Sequence, residues 1–164
     1  MIKKKLSINL IEYQSVDEME DSDKQLIEYA KSATANSYAP YSNFHVGAAL
    51  MLENGEIIIG SNQENAAYPS GLCAERVALF YANSKFPEMR VLAIAIAARN
   101  NGTFTDSPIA PCGSCRQVML ETETRFKQAI KIILVGESQI LVVENANNLL
   151  PISFTEDFLR KDKL

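Results

Sequence analysis

Two short segments hold the residues best able to do chemistry: Cys73-Ala74-Glu75 and Pro111-Cys112-Gly113-Ser114-Cys115. The chain has three cysteines and one histidine in 164 residues. An odd number of thiols with no secretion signal makes a poor disulfide framework. Three thiols do match the three protein ligands of a catalytic zinc site that keeps one position for water. Thiolates need electrostatic help to form near neutral pH. Both segments fall at expected helix N-termini, where unpaired N–H groups and the positive dipole end favour anions. The Cys112–Cys115 spacing lets both sulfurs meet one metal across a first helical turn, and Cys73 must come from a second helix packed beside it. Glu75, two residues after a ligand, can sit close to the water without binding the metal and can move its protons. Three thiolates leave zinc with a formal charge of about -1. Arg76, directly after Glu75, is placed to donate to the sulfurs and draw charge off them.

Each fragment also has a plainer reading. A lone Cys-x-x-Cys is equally a redox pair or half of a structural zinc site. Pro111, the upstream Cys-x-Glu and the lack of a fourth cysteine favour the open, catalytic arrangement. A closed site would need His45. That residue lies between Phe44 and Val46 on an expected strand, faces away from whatever they face, and reads as a surface or edge histidine. Glu75 as a solvated helix residue and Arg76 as a surface arginine are the alternatives at those positions.

The elements that must carry these residues follow from periodicity. Ser22 is a candidate N-cap with Gln25 three residues on. Leu26, Ile27, Ala30, Ala33 and Thr34 then recur at helical spacing, and this first helix should end before Pro40. Phe44, Val46, Ala48 and Leu50 alternate as in a strand. Asn54-Gly55 is a hairpin signal, and Ile57, Ile58 and Ile59 begin the returning strand. Residues 73–84 read as a helix with Val77, Ala78, Phe80 and Tyr81 as core contacts. Residues 89–98 read as a buried strand, and 112–126 as a helix with Val118 and Met119 facing inward. Residues 129–136 and 139–143 read as strands, paired either parallel or antiparallel, and a short helix is expected after Ser153. This order predicts an α/β fold, a mixed sheet covered by helices. Residues 1–20 read as a loosely attached arm, and 21–164 as a single domain.

Composition sets the outer bounds. Hydrophobic residues make up 47% of the chain and the formal charge is -4. An acidic balance without a basic stripe argues against a nucleic-acid partner. The apolar run from Val91 to Ala98 falls well short of the roughly 20 residues of a bilayer crossing, so no membrane partner is expected. Lys3, Lys4 and Lys5 resemble a signal n-region, but Asn9, Glu12 and Gln14 break the apolar stretch that should follow. The expected location is cytoplasmic.

The order Cys-x-Glu followed by Pro-Cys-x-x-Cys is a signature of zinc-dependent deaminases. Other segments extend the likeness: Tyr38-Ala39-Pro40-Tyr41-Ser42-Asn43-Phe44, Val46-Gly47-Ala48-Ala49-Leu50, residues 62–69, Cys73-Ala74-Glu75-Arg76, residues 111–118, and Leu149-Leu150-Pro151 with Phe154. From about residue 23 to 160 the chain resembles the small, homotetrameric, three-cysteine class of the cytidine deaminase family. The resemblance implies a three-layer α/β/α fold with a central mixed five-stranded sheet. It also implies zinc on Cys73, Cys112 and Cys115, with Glu75 as proton donor and acceptor. Asn62 and Glu64 resemble the ribose-binding pair, and Asn and Glu do offer a donor and acceptors to a sugar hydroxyl. Phe44 resembles the aromatic lining the base pocket, Tyr68 a residue contributed across a subunit contact, and Phe154 the aromatic reaching a neighbouring subunit's pyrimidine. On pattern alone, Phe44 is equally a core strand residue, Asn62 and Glu64 a polar strand end, and Tyr68 and Phe154 ordinary packing. Two features depart from the family: the arm at residues 1–20 has no counterpart, and Gln63 replaces a branched apolar residue and needs hydrogen-bond partners if buried.

Overall fold

A computed structural model describes residues 1–159; residues 160–164 of the expected domain lie outside the described residues. The strands are β1 (Ile11–Tyr13), β2 (Phe44–Leu52), β3 (Ile57–Ser61), β4 (Val91–Asn100), β5 (Thr103–Phe104), β6 (Lys131–Val135) and β7 (Ile140–Val143). Among the described residues they form one sheet in the order β1-β7-β6-β4-β2-β3. β5 pairs with the end of β4. β4 and β6 run parallel and the other neighbours antiparallel, so the β6–β7 pairing left open by periodicity is antiparallel. The sheet has seven strands where five were expected. The additions are short: β5 is a two-residue return after β4, and β1 comes from the N-terminal arm.

Helix α1 (Asp21–Ala33) covers one face, and α2 (Ala74–Lys85) and α3 (Gly113–Phe126) cover the other. Strand alternation divides the core accordingly. Ala49, Ala93, Ala95 and Ala97 point to the α1 side, where Leu26, Ile27 and Ala30 meet them. Ala48, Leu50, Ile94 and Ile96 point to the α2–α3 side, with Ala78, Leu79, Cys115 and Met119. Each fully buried Leu or Ile contributes about 1.5–3 kcal/mol relative to an exposed one. Gly60 on β3 brings α2 close, because a Cβ there would collide with the backbone of Ala74 and Ala78. The hairpin between β2 and β3 turns at Asn54-Gly55, with Gly55 at a φ of 83°.

Several local expectations change. α1 starts at Asp21 with Glu20 at the cap position and no side-chain cap, so Ser22 lies inside the helix. Asp21 and Asp23 in its first turn offset the loss through the helix dipole. A capping box does form upstream, where Ser15 and Glu18 close the 3-10 turn Val16–Glu18. Met19 is buried and Tyr13 and Val16 pack on the α1-side core, so residues 11–19 form part of the folded body. Phe80 and Tyr81 are about half exposed; Leu79 and Ala82 fill the core instead. In a helix with apolar residues on several faces, periodicity does not say which face the sheet takes. After Ser153 the described residues form only a 3-10 turn, Glu156–Phe158. No helix among the described residues is long and apolar enough to cross a membrane.

Candidate active site

Cys73 is the N-cap residue of α2, and Cys112 is that of α3. Both have extended backbone and neither helix has a side-chain cap, so each cysteine stands at the positive end of a helix. Cys115 lies one turn into α3 and is fully buried. The Sγ atoms of Cys73, Cys112 and Cys115 all lie within 4.8 Å of one another. Cys73 and Cys112 are 3.8 Å apart, and Cys112 and Cys115 are 3.4 Å apart. Tetrahedral zinc with bonds of about 2.3 Å places its sulfur ligands about 3.8 Å apart. The donor set therefore fits zinc in both chemistry and spacing. His45 is not part of the cluster; its Nε2 lies 3.3 Å from Asn43 Oδ1.

Cys73 and Cys115 shift in opposite directions. The Cys115 thiol stabilises the Cys73 thiolate most, followed by the Arg76 guanidinium and the Cys112 thiol, and together they bring Cys73 down to about 5 against the opposing effect of burial. Cys115 is pushed up, because it is the donor to Cys73 and is itself buried. Arg76 Nη2 donates to Cys73 Sγ at 3.6 Å. Its Nε is buried without a partner among the described residues. Glu75, in the first turn of α2, is 4% exposed. Burial holds its carboxyl above the usual range, with its own backbone N–H and the Cys115 thiol acting in the opposite direction.

Next to Cys73 opens a cavity of about 550 Å³, a usual size for a small-molecule site. Asn62, Glu64, Tyr68, Cys73 and Arg76 line it, together with Tyr41, Ser42 and Leu72. Hydrogen bonds fix this wall in place. Gln63 and Leu72 exchange both backbone bonds at 2.9 Å, and Tyr38 donates to Asn62 O while accepting from Glu64 N. The Gln63 side chain finds the partners it needs in Asn36 O and Ser61 Oγ. Asn62 Oδ1 accepts from Val46 N at 2.7 Å and from Ser37 Oγ at 2.5 Å, and its Nδ2 donates to Phe44 O at 2.9 Å. Glu64 Oε2 accepts from Tyr41 N at 2.9 Å and Ser42 N at 3.3 Å. The Ser42 hydroxyl, then the Tyr41 N–H, hold the Glu64 carboxyl below the usual carboxylate range.

Of the residues singled out from sequence, the structure therefore gathers the three cysteines, Glu75, Arg76, Asn62, Glu64 and Tyr68 around one place. Phe44 and Phe154 do not line the cavity within this chain. Phe44 is partly buried at the start of β2, and Phe154 is exposed and stacked on Phe158 at 5.7 Å. Tyr41 and Ser42 were missed as wall residues. The turn cluster Pro40-Tyr41-Ser42-Asn43 marks a loop, with Asn43 at a φ of 53°, but gives no sign of its partner Glu64.

Comparison with known proteins agrees with this geometry. A family model described as "Cytidine and deoxycytidylate deaminase zinc-binding region" matches residues 20–130. The chain is 43% identical over 134 residues to a cytidine deaminase of Halalkalibacterium halodurans, covering 82% of this chain and 95% of that protein. It is similar in structure to cytidine deaminase from Burkholderia pseudomallei, with a TM-score of 0.68 and 42% identity over 79% of this chain and 97% of the other. The cytidine deaminase of Mycobacterium tuberculosis gives a TM-score of 0.64 at 32% identity, covering 84% and 99%. With the family model matching residues 20–130 and a relative 43% identical over 95% of its length, the chain belongs to the cytidine and deoxycytidylate deaminase family of zinc-binding proteins.

Proposed function

We propose that this protein catalyses the hydrolytic deamination of cytidine and deoxycytidine to uridine and deoxyuridine, releasing ammonia, with zinc held by Cys73, Cys112 and Cys115. The observation that carries the reading is the grouping of three sulfurs within 4.8 Å of one another, with buried Glu75 two residues from Cys73, at the edge of the cavity. Bound zinc supplies the positive charge that makes water a nucleophile near neutral pH.

The chain's own residues account for the rest. Glu75 takes a proton from the attacking water and passes it to the ring nitrogen beside the reacting carbon. Water oxygen adds at the carbon bearing the amino group, and the carbon–nitrogen bond then breaks. Glu75 takes the second proton from the added hydroxyl and delivers it to the departing amine, leaving a carbonyl, so cytidine and water become uridine and ammonia. A carboxyl raised above its usual range suits both directions of this transfer. Arg76, donating to Cys73, draws negative charge off the thiolates. Asn62 and Glu64 hold the ribose hydroxyls; Phe44 does not line the cavity, and only the family resemblance assigns it to the base.

Tyr68 is 79% exposed and Phe154 is 56% exposed, an unusual state for aromatic side chains. Together with half-exposed Phe80 and Tyr81 they support a homotetramer in which Tyr68 and Phe154 complete neighbouring sites. The protein acts in the cytoplasm, in pyrimidine salvage, on free nucleosides; a net charge of -4 gives no footprint for a nucleic acid. The substrate class is tested by measuring ammonia release from cytidine, deoxycytidine, free cytosine and cytidine monophosphate. Turnover should be fast for the two nucleosides and weak for the others. Preference for an amino-bearing nucleoside antibiotic, or for no substrate at all, would contradict the reading.

A further inference from the structure

The metal-holding end of α3 is connected to the C-terminal segment by two consecutive side chains. Arg116 follows Cys115 directly. Its Nε donates to Pro111 O at 2.8 Å, and its Nη1 donates to Leu149 O at 3.0 Å. Its backbone N–H donates to Cys112 O at 3.0 Å. One residue thus grips the carbonyls on both sides of the Pro111–Cys112 junction, where α3 has no side-chain cap. Gln117 Nε2 then donates to Phe154 O at 2.8 Å. At the far end of α3, Glu123 Oε1 accepts from Ala146 N and Ile130 N, both at 2.7 Å. The segment from Ala146 to Phe154 is therefore fastened to α3 at three points, and Arg116 is the one shared with the ligand loop.

We infer that Arg116 is a positioning residue that fixes the Cys112 sulfur for zinc and makes zinc affinity depend on the seating of the 146–154 segment. The guanidinium is suited to this role. It is planar, permanently charged and carries several donors in fixed directions, so it reaches two carbonyls at once. Lysine offers one compact ammonium group and cannot reproduce both bonds in their directions. Lost orientation of a ligand costs metal affinity without removing any ligand, typically about 10–100-fold. The inference rests on the three cysteines being the zinc ligands.

The test measures zinc affinity by competition with a chromophoric chelator, using full-length wild type, Arg116→Lys, Arg116→Gln and Arg125→Gln. Arg125 donates to Pro87 O from the last turn of the same helix, so its variant reports general loosening of α3. The Arg116 variants should bind zinc about 10–100-fold more weakly. Arg125→Gln should stay within about twofold of wild type, even if its melting temperature falls as far. With zinc in excess, kcat of Arg116→Lys should recover more fully than KM, because the C-terminal segment stays displaced. Wild-type zinc affinity in both Arg116 variants would overturn the inference, as would an equal loss in Arg125→Gln. Failure of wild type itself to bind zinc would instead overturn the underlying reading of the cysteines.

Discussion

Cys73 and Cys112 begin their helices, whereas Asn62 and Glu64 sit on a loop that runs from β3 to α2. The sulfurs are aimed by regular structure: helix starts, a one-turn spacing, and a close helix–sheet approach allowed by Gly60. The polar wall is aimed by single hydrogen bonds to distant segments, such as Ser37 to Asn62 and Tyr41 to Glu64. In the first region the backbone does the positioning and the side chain does the chemistry. In the second, one side chain does both. Asn62 in particular is occupied with Val46, Phe44 and Ser37 before any ligand arrives.

The largest effect should come from the sulfur cluster. Cys115→Ala removes a ligand and should lower zinc affinity by more than the roughly 10–100-fold that a supporting residue costs. Metal analysis after dialysis should find the variant depleted and inactive; zinc retained at the wild-type level would show that Cys115 is not a ligand. Next in size, Asn62→Ala leaves the Val46 N–H and Phe44 carbonyl without partners. It should cost about 2–3 kcal/mol of stability in urea unfolding, as well as raising KM. Loss of binding with unchanged stability would mean that Asn62 serves only the ligand.

Glu64→Gln sharpens the contrast, because glutamine keeps an acceptor for Tyr41 and Ser42. Stability should stay within about 0.5 kcal/mol, while KM rises roughly tenfold, equivalent to about 1.4 kcal/mol. The smallest effect is on pH dependence. The Glu64 carboxyl is held below its ordinary value by Ser42 and Tyr41, so it stays ionised as pH falls into the ordinary carboxylate range. Its contribution to binding is present above that range and disappears only as pH falls through the lowered value. Ser42→Ala removes the hydroxyl, so the fall in uridine affinity should begin at higher pH. Coincident profiles for the two proteins would show that the hydroxyl does not tune this carboxylate.

The same division explains what could be read from the sequence. Both cysteine segments, the hairpin at Asn54-Gly55 and the inward positions Ala78 and Met119 follow from local spacing, and spacing survives folding. Phe80 and Tyr81 were misplaced because helical period identifies a face only when the other faces are polar, and α2 carries apolar residues around much of its circumference. The strand at residues 11–13 was not legible, since Ile11-Glu12-Tyr13 is too short for alternation to stand out and its pairing with β7 is wholly tertiary. Gln63, which departs from the expected apolar residue, is satisfied by Asn36 and Ser61, partners that no local pattern announces. The fastening of residues 146–154 by Arg116, Gln117 and Glu123 belongs to the same class.

The central claim is that a buried carboxyl beside the sulfur cluster moves the protons of the reaction while taking no part in holding metal. Ammonia release from cytidine by wild type and by Glu75→Gln, with zinc content determined on the same samples, tests it most directly. Zinc occupancy should be full in both, and turnover should fall by at least about 10²–10⁴-fold in the variant. Equal turnover in the two proteins, or loss of zinc with the glutamate, would contradict it.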